Sequence, residues 1–217
     1  SLNNQHYKVT TMNIYEKHVL PRILHCACGS KPITRQREKV VPKVSGVTLE
    51  IGVGTGLNIP FYKNSNVGKL IGLDPYSENW KIASKVKEEN DVAMEFMQAD
   101  GEEIPIPHGS VDTVLVTYTM CTIPNIAKAI NEFKRVLKKD GKLIFCEHGV
   151  APDKNIKKWQ DRLNPIWKKC MGGCNLNRNI PELISDGGFV FDKLDQMYIP
   201  STPKFAGYNY WGIAKVK

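Results

Sequence analysis

The chain reads as an α/β protein with a doubly wound, seven-stranded, mostly parallel sheet and a helical extension at its amino end. Three observations predict this. First, the β-branched run at 44–51 enters the turn Gly52-Val53-Gly54-Thr55-Gly56, and residues 57–62 then open a helix with Pro60 in its first turn. Second, Val111–Thr117 is almost entirely apolar or threonine, as suits a parallel strand covered on both faces. Third, the acids Glu50, Asp74 and Asp100 close three successive strand-like segments, and open α/β sheets bind ligands at those carboxyl ends.

Residues 1–42 form the extension, and residues 43–217 the main domain. Within 15–26, Val19, Leu20, Ile23 and Leu24 fall at helical spacing despite Pro21. Residues 29–32 read as a turn, 34–41 carry Arg35, Arg37 and Lys39, and Pro42 marks the entry to the main domain. The extension is expected either to act as a lid over the crevice or only to pack on the sheet. The second strand, 69–73, ends at Asp74-Pro75, and 80–90 reads as a helix with Ile82 and Val86 apolar among charged residues. The third strand, 92–97, ends at Gln98-Ala99-Asp100-Gly101. After the fourth strand, residues 126–137 put Ile126, Ala129, Ile130, Phe133, Val136 and Leu137 on one helical face. Asp140-Gly141 turns into a fifth strand at 142–146, closed by Glu147-His148. A basic, aromatic stretch spans 156–169, a short helix spans 181–185, and 189–194 and Tyr208–Val216 supply the last two strands.

With 217 residues, 41% hydrophobic and 24% charged, the chain has an ordinary soluble composition and enough length for one substantial core. No apolar run approaches the roughly 20 residues that span a bilayer, and residues 1–20 lack the apolar core of a signal peptide. The six cysteines form no paired C-x-x-C sets, so no metal site is expected. Cys121 and Cys146, in apolar surroundings, read as buried free thiols of a reducing, cytoplasmic setting. The net charge of +8 favours anionic partners without naming one. Trp159 and Trp167 among Lys157, Lys158, Arg162, Lys168 and Lys169 suit peripheral contact of 156–169 with an anionic membrane surface.

The glycine spacing selects among nucleotide binders. Dinucleotide sites want a third small residue at position 57, where this chain has Leu57; the small residue is Gly56. E-x-G-x-G-x-G, from Glu50 to Gly56, is the pattern of enzymes that bind S-adenosylmethionine. Gly52 lets the chain leave its strand, Gly54 admits close approach of a ligand, and the amide groups at the following helix start favour an anionic group. Asp74 stands twenty residues after Gly54, the spacing of a carboxylate that takes both ribose hydroxyls. Asp100 is placed to accept the exocyclic amine of an adenine. His148 is a candidate base or substrate ligand.

The segments L-E-I-G-V-G-T-G at 49–56, G-L-D-P at 72–75, A-D-G-E-E-I-P-I-P-H-G-S-V-D at 99–112 and F-K-R-V-L-K-K-D-G-K-L at 133–143 resemble the class I S-adenosylmethionine-dependent methyltransferases, with their Rossmann-like fold. T-Y-T-M-C-T-I at 117–123, C-E-H at 146–148, W-Q at 159–160, N-P-I-W at 164–167 and G-G-C-N-L-N-R at 172–178 are similar to the group that includes alkyl thiol methyltransferases. Ubiquinone and menaquinone C-methyltransferases and some phospholipid N-methyltransferases share the wider pattern. The resemblance implies that Gly52, Gly54 and Gly56 line the methionine part of the cofactor. It further implies that Glu50 reaches the cofactor's ammonium directly or through water, and that Thr117 offers a backbone carbonyl nearby. Asp74, with Pro75, would hold the ribose, and Asp100 and Gly101 would frame the adenine. The implied reaction moves a methyl group by in-line displacement to a small or lipophilic acceptor, a thiol being favoured over a quinone or a phospholipid. Nucleic acid is a poor candidate: no [DNS]-P-P-[YFW] stretch follows the fourth strand, and no Pro-Cys pair is present.

Overall fold

A computed structural model describes residues 19–217. Seven strands form one sheet: β1 (Ser45–Ile51), β2 (Asn66–Asp74), β3 (Glu95–Gln98), β4 (Val111–Thr117), β5 (Leu137–His148), β6 (Phe189–Tyr198) and β7 (Tyr208–Val216), in the order β3-β2-β1-β4-β5-β7-β6. All pairings from β3 to β5 are parallel, and β7 runs antiparallel to both of its neighbours. The strand order reverses between β1 and β4, so a crevice opens outside their carboxyl ends. Alternation along the strands feeds two cores. Leu49, Ile51, Val114, Val116, Leu143 and Phe145 face one side, where the helices α4 (Ile126–Val136) and α6 (Ile180–Asp186) pack. Leu115, Ile144 and Cys146 face the other, against Val40 and Ala83 of the helices α2 (Lys31–Val40) and α3 (Ser77–Glu89).

The main departures from expectation occur where tertiary contacts outweigh local pattern. Residues 57–62 do not open an α-helix; Ile59–Asn64 is a 3-10 helix, whose three-residue period puts the buried Ile59 and Tyr62 on one face. The helix α1 covers Leu20–Cys28, and residues 15–18 of the 15–26 pattern lie outside the described residues. The basic stretch after Gly29-Ser30 is itself helical, with Pro32 in its first turn. β3 is Glu95–Gln98 and not 92–97: Val92 N donates to Lys87 O and finishes α3, and only the last four residues of β2 are left to pair with it. The expected turn at Asp140-Gly141 is absorbed into β5, which starts directly after α4; Val111 pairs Leu137 and Thr113 pairs Lys142, with an irregularity between them.

The helix α5 (Lys154–Cys170) contains Pro165 and presents two unlike faces. Trp159 is 56% exposed and Ile166 66%. On the inner side Gln160 is fully buried; its Nε2 donates to Gly149 O, Leu176 O and Phe205 O, and its Oε1 accepts from Ala151 N. One side chain thus ties together the loops that flank the crevice. Gln160→Ala would orphan several buried backbone groups, so we expect a loss of about 3 kcal/mol; an unfolding midpoint unchanged in urea would contradict this account.

Candidate active site

The glycine turn leaves β1 sharply. Gly52, Gly54 and Gly56 all adopt positive φ, at 73°, 55° and 84°. Gly52 N and Val53 N both donate to Leu73 O of β2, and Gly54 N donates to Asp74 Oδ2 at 2.8 Å. A Cβ on Gly52 would stand 2.4 Å from Thr119 Oγ1, so the loop after β4 fits only against a glycine. A Cβ on Gly54 would meet nothing nearer than Gly52 O at 4.0 Å, so open space lies above that backbone. Gly56 is pressed from two sides: a Cβ there would stand 2.8 Å from Ile59 Cδ1, in the 3-10 helix that follows the turn, and 3.1 Å from Ala83 Cα of α3.

Glu50, 2% exposed, anchors a buried network. Asn58 Nδ2 donates to its Oε1 at 2.9 Å and Tyr62 OH to its Oε2 at 2.5 Å. Asn58 also donates to Thr117 Oγ1, while Arg37 Nη1 donates to Asn58 Oδ1 at 2.9 Å and to Thr117 Oγ1 at 2.6 Å. Arg37 belongs to α2, is 5% exposed, stacks over the Tyr118 ring at 5.0 Å and leaves its Nε without a partner. Burial pushes the Glu50 carboxyl up to about 7, against the pull of Tyr62, Asn58 and the Arg37 charge. The Thr117 carbonyl accepts the Thr119 hydroxyl at 3.2 Å. The extension closes this side: His25 Nδ1 lies 2.8 Å from Thr55 Oγ1 in the turn, and Leu20 packs where a Cβ on Gly172 would sit.

Asp74 ends β2 at 4% exposure, with Oδ2 accepting from Gly54 N and Oδ1 from Tyr76 N and Asn79 Nδ2. Burial raises its carboxyl above the ordinary range, partly offset by those donors. Pro75 is exposed, and its carbonyl accepts from Gln98 Nε2. Asp100 accepts from Glu102 N. Gly101 sits where a Cβ would press on Ile51 and Ile123, so its small size serves packing at the end of β3.

The facing wall comes from the ends of β4 and β5. Glu147 is fully buried; its Oε1 accepts from Thr119 N and Met120 N, and its Oε2 has no partner. Asn175 donates twice to Cys121 O, and Arg178 Nη1 donates to Met120 O. His148 is half-buried, with Nε2 3.1 Å from Cys174 Sγ. Burial works against its charged form, but Cys121 and Glu147 outweigh that and raise its pKa. The cysteine spacing predicts no metal site, yet the fold gathers Cys121, His148 and Cys174 with their ligand atoms within 4.8 Å of one another. Cys26 and Cys170 are exposed instead.

Residues 49–145 match a family model described as "Methyltransferase domain". The human thiol S-methyltransferase TMT1A is 30% identical over 168 residues, covering 76% of this chain and 69% of that protein. The chain belongs to the class I S-adenosylmethionine-dependent methyltransferases. A phosphatidylethanolamine N-methyltransferase of Cereibacter sphaeroides is 32% identical over 111 residues, covering 50% of this methyltransferase and 53% of the relative, so the chain spans about half the length of that protein. A geranyl diphosphate methyltransferase solved in complex with S-adenosylmethionine superposes with a TM-score of 0.65 at 13% identity, covering 85% of each chain. The methyltransferase is thus an enzyme whose cofactor is S-adenosylmethionine.

Sequence reasoning overlooked Arg37, Asn58 and Tyr62. The signal for Arg37 was present: Ile33, Arg37 and Val40 share one face of a helical phase, so an arginine falls on the inward side of α2. Asn58 carried no comparable mark, because its partner Thr117 lies fifty-nine residues away.

Glu50 has a checkable pH signature. Its carboxyl is raised in the folded chain from an ordinary 4.5 to about 7, so the unfolded chain ionises first. The contribution is fully present below pH 4.5 and is lost as pH rises through about 7, a swing of about 3 kcal/mol. Denaturant unfolding of the wild type should lose stability relative to Glu50→Gln across that window; parallel curves would rule this out.

Proposed function

We propose that this methyltransferase moves the methyl group of S-adenosylmethionine to the sulfur of a small or lipophilic thiol. The observation that carries the reading is the chemistry of the wall facing the glycine turn, where Cys121, His148 and Cys174 stand beside Arg178. A thiol reacts as its thiolate, with an ordinary pKa of about 8.5, and cationic surroundings favour that form without a strong base. The likeness to the human thiol S-methyltransferase over two thirds of its length supports the same acceptor class.

When bound, S-adenosylmethionine supplies an activated methyl carbon; the chain supplies position and dryness. The residues present fit it. Open space above Gly54 suits a ligand lying along the loop, and the unpartnered Arg37 Nε suits its carboxylate. Asp74 Oδ2 keeps a lone-pair site beside its one donor, and on Oδ1 the longer bond from Asn79 Nδ2, at 3.2 Å, is the one a second ribose hydroxyl would replace. Gly52 and Gly56 shape the turn, Thr117 holds its inner wall, and Asp100 with Gly101 and Pro75 frames the outer end of the crevice. Glu50, with both oxygens engaged by Asn58 and Tyr62, acts as a positioning residue through Asn58 and not as a direct ammonium ligand. The extension serves as the lid, joined through His25 and Arg37. His148 stands on the acceptor side.

A phospholipid acceptor is the second reading, favoured by the exposed Trp159 and Ile166 of α5 among its lysines, a face suited to an anionic membrane. Labelled methyl transfer from S-adenosylmethionine to an alkyl thiol, a demethylated quinone and phosphatidylethanolamine vesicles separates these. Transfer to the thiol is expected, and transfer to lipid or quinone alone would sink the thiol reading. For the donor side, Asp74→Ala should weaken S-adenosylhomocysteine binding by about 1–3 kcal/mol in a calorimetric titration, as charge-assisted hydrogen bonds are lost. An unaltered affinity would remove Asp74 from the ribose site.

A further inference from the structure

Cys121, His148 and Cys174 come from the loop after β4, the end of β5 and the loop after α5. Among the described residues they form a group whose ligand atoms lie within 4.8 Å of one another, with His148 Nε2 and Cys174 Sγ 3.1 Å apart. We propose that this triad binds one zinc ion through two thiolates and one imidazole, leaving a fourth position open.

The donor set has the right character, because thiolate and imidazole select zinc over hard cations. The distances are close to what such an ion needs. Zn–S bonds of about 2.3 Å and Zn–N bonds of about 2.0 Å place tetrahedral donors roughly 3.5–3.8 Å apart. The observed separations depart from that by about 1 Å at most, within reach of side-chain rotation. Charge agrees as well. Two thiolates around a divalent ion are together neutral, so the site would carry no uncompensated charge.

The surroundings are built to orient ligands. Trp167 Nε1, a donor only, points at Cys174 Sγ from 3.4 Å. The Cys121 carbonyl accepts both Asn175 N and Asn175 Nδ2 at 2.9 Å, and Glu147 and Arg178 fix the two residues before it. His148 is held at the strand end by its pairing with Asn209 of β7. A Cys121–Cys174 disulfide would leave His148 without a role and would need an oxidant that the crevice does not supply.

The open position gives the site a task. This part rests on the thiol reading above. An acceptor thiol would lose its proton to solvent and bind the ion through sulfur. A sulfur lone pair would then form the new bond to the methyl carbon, while the old carbon–sulfur bond breaks and its electron pair stays on the donor sulfur. The neutral thioether product, a weaker ligand, would leave. Thr119, whose side chain fills the space over Gly52, is two residues from Cys121, so the ion would sit in the same crevice as the glycine turn.

The test uses the full chain, purified without chelator, then stripped and reloaded with zinc or cobalt(II). Expected are about one zinc per chain by elemental analysis, thiolate-to-cobalt charge-transfer absorption with strong tetrahedral bands, and a higher unfolding midpoint on reloading. Cys121→Ser and Cys174→Ser should each weaken the charge-transfer band, and His148→Gln should shift the tetrahedral bands. Cys26→Ser, at an exposed thiol, should leave both intact. Reloaded wild type with no charge-transfer absorption would overturn the proposal without any variant. So would bands that survive in the Cys121→Ser, Cys174→Ser double variant. An alkyl thiol added to the cobalt protein should alter its spectrum if the open position takes sulfur. Methyl transfer that fails on thiols while the cobalt spectrum stands overturns only the thiol reading; thiol transfer at full rate by metal-free protein overturns only the ion's part in the transfer.

Discussion

The buried carboxylate of Glu50 is the constraint on which the crevice depends. It ends β1 inside the protein, where an ionised acid is costly and an unpaired one costlier still. Asn58 and Tyr62 answer it, and Asn58 in turn reaches Thr117 on β4 and Arg37 on α2. Four segments are therefore joined through one network: the first strand, the stretch after the glycine turn, the neighbouring strand and the extension. Each member needs the others for its own hydrogen bonds, so the turn is held in shape without a ligand.

A second buried acid does the same work on the opposite wall. Glu147 stands at the end of β5 as Glu50 stands at the end of β1, and its Oε1 gathers the amides of Thr119 and Met120. The two walls then meet where the Thr119 side chain occupies the space over Gly52. A glycine on one loop and a hydroxyl-bearing residue on the other thus set how closely the two loops approach. Neither acid needs to touch a substrate to govern that spacing.

Helix α5 connects this interior to the surface. Its inward face carries Gln160, which satisfies backbone groups from several loops, and Trp167, which reaches Cys174. Its outward face carries Trp159 and Ile166 among basic residues. No helix among the described residues is long and apolar enough to cross a membrane. Aromatic and basic groups together on that outward face suit an interface between water and apolar material.

Local pattern alone was enough to read the sheet, the glycine turn and the acids at the strand ends. Strand burial follows from apolar composition, and a turn of three positive-φ glycines follows from their spacing. The buried phase of α4 was legible for the same reason, since helical period and apolar positions coincide. What tertiary structure decided is which distant side chains meet. Arg37 and Thr117 are eighty residues apart, and Cys121, His148 and Cys174 lie on three separate segments. Hydrogen bonds and ligand clusters act over about 3–5 Å in space, whereas sequence periodicity reports only which way a residue faces within its own element.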